Sequence, residues 1–462
     1  MDNLWKGRLS KCLDQMGKNF NDSIHFDYIM FEEDINGSIA HAKMLGEVGI
    51  IAKKESDEIT KELEKIKQDI KNNNLQIDFK AEDIHTFIET ELTSRIGDIG
   101  KKLHTARSRN DQSAVTTKLF LRKKINEIKH GIAQLIGTVT KIAENHMDTI
   151  MPGLTHLQLA QPTTLAHHFL AYNAMFMRDY ARFDDCLKRL NTSPLGAGAL
   201  AGTTFPINQE MTSAALGFAN SCFNSLDAVS SRDHIIEMAS ACSITMMHFS
   251  RLCEDLIIWN NQLFDFIAFD DAHSTGSSMM PQKKNPDLAE LIRGKSGRCY
   301  GNLISLLTMM KGLALSYNKD MQEDKQPVFD SIDTVTQSLG ILTEMLSKIT
   351  FNKQAMMIAC EQGFINATDC ADYLVGKGIP FRDAYKITGE IINFCINENK
   401  TLQEIKIEDY KSFSQAFEED IYDAINLINC VARRIKGGGP APESLKIQID
   451  ISKDFLNGYL SK

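Results

Sequence analysis

Apolar residues recur at helical spacing along most of the chain. Ile59, Leu63, Ile66 and Ile70 mark one face, stopped by Asn72, Asn73 and Asn74, and Ile84, Phe87, Ile88 and Leu92 mark another. The longest run is Leu121, Ile125, Ile128, Ile132, Leu135, Val139 and Ile142. Its alternating steps of four and three predict one long helix with an a/d seam. Ser108 and Asp111 have capping-box spacing at its start, and Pro152-Gly153 is expected to end the segment. Ile235, Met238, Cys242, Met246, Phe249, Leu252 and Leu256 predict a second long helix from about Ser231 to Asn260. Leu288, Leu291 and Ile292 open a third after Pro286, continued by Leu303, Leu306, Leu307, Met310 and Leu313. Three such helices offer more apolar face than one chain needs, so the pattern implies oligomerisation through a long-helix bundle.

The fold class expected is therefore all-α. Three domains are expected: an N-terminal helical domain over 1–108, a central long-helix bundle over 109–359, and a small C-terminal helical domain over 360–462. In the last, helices shorten and Gly376, Gly378, Gly389 and Gly437-Gly438-Gly439-Pro440 add punctuation. A length of 462 residues exceeds one ordinary core. Hydrophobic residues at 43% with 24% charged fit a soluble globular protein. The formal charge of -9 leaves no basic excess for nucleic acid, so any cationic site must be local. Ten scattered cysteines without a C-x-x-C pair read as buried thiols in a reducing cytoplasm. Met1 to Asp14 is polar and charged, which argues against a signal peptide, and no apolar run is long enough to span a bilayer. A cytoplasmic protein with no membrane partner is expected.

Four polar stretches lie at ends of the predicted helices. Thr105 to Gln112 sets Arg107 and Arg109 at a helix N-terminus, suited to a carboxylate or phosphate, although a solvated cap reads as well. Pro152 to Gln158 presents His156 after a rigid turn; histidine is the commonest proton-transfer residue, yet a lone one is more often structural. The third stretch, Ser274 to Asp287, combines hydroxyls, Lys283, Lys284 and Asn285. Asn285-Pro286-Asp287 reads there as cap, first helical position and first-turn acid, which would point a positive helix end at an anion. Tyr317 to Lys325 is the fourth, with Gln322 and Lys325 spaced to share one helical face. His167-His168 reads as a core or surface pair, and Ser193 to Gly202 as a compact loop, since it lacks the G-x-G-x-x-G spacing of a nucleotide loop. No H-E-x-x-H or Cys/His zinc spacing occurs, so no metal is expected.

In this order the four stretches resemble the fumarase/aspartase superfamily, and within it the argininosuccinate lyase branch. Gly276-Ser277-Ser278-Met279-Met280-Pro281-Gln282-Lys283-Lys284-Asn285-Pro286 looks like the superfamily signature. Thr105 to Gln112, Leu4-Trp5-Lys6-Gly7-Arg8-Leu9 and Glu323-Asp324-Lys325 carry the branch, and Ala367 to Leu374 and Val431 to Arg434 extend the likeness over the chain. Lys6, Leu9 and Gln326 depart from the usual Gly, Phe and Glu. The resemblance implies a homotetramer whose active sites are shared between subunits. It also implies reversible elimination of argininosuccinate to L-arginine and fumarate, in arginine biosynthesis, without cofactor. By resemblance Ser277 is the base, Lys283 and Asn285 hold the developing aci-carboxylate, and His156, oriented by Glu290, serves the departing guanidinium; the reversed assignment of Ser277 and His156 stays open. Substrate holding carries over to Ser23, Asn110, Thr155, Tyr317, Gln322 and Lys325, with Ser108, Arg109 and Ser278 beside them. Adenylosuccinate lyase, fumarase and aspartase are rivals within the superfamily, and a structural lens crystallin is a rival of another class.

Overall fold

The computed structural model describes residues 13–460. Leu4 to Leu9 and Cys12 therefore lie outside the described residues. Helices dominate: Phe31–Glu47, Lys53–Lys71, Ile84–Ile96, Arg109–Asn145, Leu165–Leu190, Asp233–Trp259, Asp287–Met310 and Lys325–Lys348 are the principal ones before residue 350. The strands of the described residues form only two-stranded ladders, so no sheet layer interrupts the all-α class. Contacts divide the chain into two compact units. One comprises Met1–Ile128, Arg182–Ser243 and Gly297–Thr334; the other comprises Lys129–Ala181, Ile244–Ser296 and Val335–Lys462.

In the first unit the expected faces turn inward. Ile59, Leu63 and Ile66 pack with Ile35, Leu45, Ile84, Ile88 and Leu92 in one apolar core. Helix Lys53–Lys71 stops at Asn72, whose N–H goes to the carbonyls of Gln68 and Ile70. Asp83 caps helix Ile84–Ile96, its carboxylate accepting Thr86 N–H at 2.6 Å. Helix Arg109–Asn145 opens with the reciprocal cap its spacing predicts: Asp111 accepts Ser108 N–H at 2.9 Å, and Ser108 Oγ accepts Asn110 N–H at 3.3 Å. The other Asp111 oxygen takes the N–H groups of Gly196 (3.1 Å) and Gly198 (3.0 Å), which pins the glycine-rich loop to this helix start. Gly198 has φ +61°, and a Cβ there would stand 2.6 Å from Gly202 O, so the loop admits nothing larger.

The second unit holds the separate core of the C-terminal helices, with Leu374, Ile391, Leu402, Tyr410, Phe417 and Ile421 fully buried. Two expectations are corrected here. The long helix ends at Asn145, and Pro152-Gly153 instead lie in strand Ile150–Thr155, which pairs antiparallel with Gln158–Thr164. Pro152 faces Pro162 across the ladder, and Ile150, Met151 and Pro152 are buried in succession, so no period-two alternation marked the strand. Asn285 does not cap the following helix: Lys284–Asn285 pair with Thr275–Gly276, and the helix runs from Asp287, with Glu290 N–H on Pro286 O at 3.1 Å. His167 and His168 are both half-buried. His167 contacts Thr163 (2.9 Å) and Gly438 O (3.0 Å), while His168 contacts Asp255 (2.7 Å) and packs edge-on to Trp259.

Candidate active site

A cavity of about 950 Å³ in the first unit brings together six expected residues: Ser23, Arg109, Asn110, Tyr317, Gln322 and Lys325. Three distant pieces of sequence meet there. Ser23 precedes a short helical turn, Arg109 and Asn110 open helix Arg109–Asn145, and the 3-10 helix Lys319–Asp324 carries Gln322 and delivers Lys325. That last segment is a tight 3-10 turn rather than the frayed end of an α-helix, and it aims both side chains at the cavity. Ser108 caps its helix and does not line the cavity.

Several of these groups are held by neighbouring side chains. Ser23 Oγ donates to the buried Asp27 carboxylate at 2.6 Å, so its lone pairs are left to receive a donor. Lys325 Nζ donates to Asp324 at 2.9 Å, and the other Asp324 oxygen accepts Arg232 Nε at 2.5 Å, all three side chains being buried. One carboxylate between two cations leaves a net positive corner. Arg109 is fixed by Gln112 (2.6 Å) and faces Glu89 (3.4 Å) and Asp83 (3.6 Å). Burial pushes the Asp83 carboxyl up, but the charges of Arg109 and His85 and the Thr86 hydrogen bonds outweigh it and hold it below the usual range. Burial, reinforced by Asp324, pushes the Tyr317 phenol up to about 12, so it stays a neutral donor. His85 lines the same cavity, with Nδ1 on buried Asp34 at 2.6 Å. Asp324 stood next to an expected residue, and Asp83 had the sequence mark of a helix cap; Arg232 and Asp27 carried no local signal.

In the second unit, the Thr275–Gly276 and Lys284–Asn285 ladder closes a loop that carries Ser277. Ser277 Oγ accepts the N–H groups of Met280 (3.0 Å) and Met279 (3.3 Å). Two backbone donors on one hydroxyl oxygen favour its ionised form. Thr275 Oγ1 donates to Asp287, and Lys284 pairs with Asp271, which together staple the loop base. Among the described residues the exposed Lys283 ammonium forms no ion pair, and Ser278 is exposed as well. Asn285 ends the ladder just before the 24-residue helix Asp287–Met310.

Thr155, His156, Leu157 and Gln158 form the exposed tip of the hairpin. His156 (φ 56°) and Leu157 (φ 58°) both take left-handed backbone, the geometry of a type I′ turn, which is costly for residues with side chains. Its base is anchored: Ile150 packs with Cys360, Ile365 and Val431, and Leu159 seats against Gly363, where a Cβ would approach it to 2.7 Å. Among the described residues Glu290 stands 4.0 Å from Arg293, and His156 makes no hydrogen bond or ion pair. Among the described residues no cluster of His, Cys, Asp and Glu is arranged to hold a metal ion.

Comparison with known proteins shows the family of the chain. The family model described as "Lyase" matches residues 7–301, and one described as "Argininosuccinate lyase C-terminal" matches residues 364–432. An argininosuccinate lyase of Heliobacterium mobile is 53% identical over 98% of this chain and 99% of its own length. The chain belongs to the argininosuccinate lyase family. The fold of this argininosuccinate lyase family member also matches an EDDS lyase crystallised with formate, at TM-score 0.85 and 28% identity over 96% of this chain and 89% of that one. A class II fumarase of Schistosoma mansoni shares the fold at TM-score 0.76 and 13% identity, over 91% of this chain and 93% of its own.

Proposed function

We propose that the chain cleaves argininosuccinate into L-arginine and fumarate by general acid–base elimination. The observation that carries the reading is the cavity that gathers Ser23, Arg109, Asn110, Tyr317, Gln322 and Lys325 in a chain 53% identical to an argininosuccinate lyase. Arginine biosynthesis is the setting that this activity implies.

The substrate suits those groups. A carboxylate of the arginine part meets the positive corner of Lys325 and Arg232 and the Tyr317 phenol, while Ser23, committed as donor to Asp27, accepts an N–H. The reaction removes a proton from the carbon beside a succinate carboxylate, breaks the C–N bond and returns a proton to the departing guanidinium nitrogen. Ser277 is the base in this scheme, its alkoxide supported by the Met279 and Met280 N–H groups. Charge that spreads into the carboxylate is met by Lys283, Asn285 and the N-terminal end of helix Asp287–Met310. His156 serves the departing nitrogen, oriented by Glu290, with Thr155 and Ser278 as further substrate contacts.

We place the enzyme as a cytoplasmic homotetramer with sites built from several chains. On helix Asp287–Met310, Tyr300, Ile304 and Leu307 recur at steps of four and three and are 40%, 61% and 46% exposed in the single chain, a face suited to burial between copies. Among the described residues no helix is long and apolar enough to cross a membrane. The test is fumarate absorbance in the ultraviolet with argininosuccinate, adenylosuccinate, malate and aspartate offered separately. A rise with argininosuccinate alone is expected, and a rise with another of the four instead would overturn the assignment.

A further inference from the structure

A second cavity of the first unit, about 250 Å³, shares no lining residue with the one described above. Lys118 and His234 line its wall. His234 is 6% exposed, and among the described residues its ring makes no hydrogen bond; its backbone carbonyl accepts from the Cys186 thiol at 3.7 Å. Among the described residues the half-buried Lys118 ammonium makes one hydrogen bond, to Thr192 O at 2.9 Å, and no ion pair. Two N–H groups of that ammonium remain unused.

A buried imidazole without a partner and a half-buried ammonium without a counter-ion both cost stability. They face one space, and their joint complement is an anion. The charges acting on His234 are all cations, Lys118, Arg232 and Lys325; burial, aided by them, holds its pKa well below the usual value, so the ring is a neutral donor through one nitrogen. Asp227 is the acid nearest in effect to Lys118 but makes no ion pair with it, and both Asp227 and Asp233 are exposed lining residues that water solvates. Arg189 is already taken by Glu237 at 2.5 Å. The donors of the inner wall are thus Lys118 and the His234 ring, while Glu237 Oε2, buried without a hydrogen-bond partner among the described residues, is an acceptor lining the same space. At ~30 Å³ per water the space equals about eight waters, room for a four-carbon carboxylate.

We propose that the Lys118–His234 cavity is a second binding site of this chain, for a small carboxylate whose oxygens accept the free ammonium N–H groups and the imidazole N–H. It stands whether or not the lyase reading does. Equilibrium dialysis of the full chain with radiolabelled succinate, for the wild type and for Lys118→Met and His234→Phe, tests it. The wild type is expected to bind one more succinate per chain than either variant; equal stoichiometry in all three overturns the site. Because the difference is what counts, succinate held in the large cavity cancels. Should a variant fail to fold, wild-type crystals soaked in succinate decide. Carboxylate density in hydrogen-bond reach of Lys118 Nζ and the His234 ring supports the site, and a cavity holding only water overturns it.

Discussion

A serine hydroxyl is a poor base in water, and two backbone N–H groups on Ser277 Oγ are what set this one apart. Ser277→Ala removes the base but no wall of the large cavity. It is expected to lower kcat by about 10³-fold or more with little change in substrate binding, checked by turnover beside calorimetric titration. Loss of binding with turnover retained would contradict the role. A second residue-scale prediction concerns pH. Burial and the Arg107 charge push buried His41 down to about 3, from an ordinary 6.5. The unfolded chain therefore takes up a proton below pH 6.5 that the folded chain refuses, and stability falls as pH drops from about 6.5 toward 3. His41→Gln keeps a donor for Thr105 O, which His41 Nε2 meets at 2.8 Å. It should reduce the slope of unfolding free energy by about 1.4 kcal/mol per pH unit over that window, read from urea midpoints. An unchanged slope would remove His41 from the acid response. At this scale the sequence showed the residues that bear chemistry and hid those that hold them. Ser277 and Lys325 sit in polar stretches that packing does not explain, whereas Asp27 closes a four-residue helical turn and Arg232 stands just before helix Asp233–Trp259, and their role appears only when the chain closes on itself.

Among elements, the long helices were the most legible, because three-four spacing over many turns has one structural solution: helix Arg109–Asn145 buries Leu121, Ile125, Ile128, Leu135 and Val139 as its seam predicts. The hairpin that carries His156 was illegible. Its turn, Thr155-His156-Leu157-Gln158, contains neither the Asn-Gly nor the Asp-Gly pair of favoured type I′ turns, and its left-handed residues are held by the packed strands below them. Leu157→Gly relieves one left-handed side chain that is 68% exposed and buries nothing. It should raise stability by about 1 kcal/mol, seen as a higher urea midpoint; a lower midpoint would mean that Leu157 is buried in the working assembly. The start of helix Asp287–Met310 was misplaced by one residue for a related reason, since pairing with Thr275–Gly276 claims the Asn285 backbone before the helix can.

For the whole molecule, the exposed Tyr300, Ile304 and Leu307 face argues for assembly. Gel filtration with light scattering should give about four chain masses of 51.8 kDa. Mixing Ser277→Ala with His156→Asn under subunit exchange should recover activity that neither has alone, as intact sites form from complementary chains. Verified hybrids without recovery would contradict shared sites. The central claim concerns the bond that is broken. Purified chain incubated with argininosuccinate, with arginine and fumarate both quantified over time, should yield the two in equal amounts from the first minutes. Arginine without fumarate, or neither product, would contradict the account.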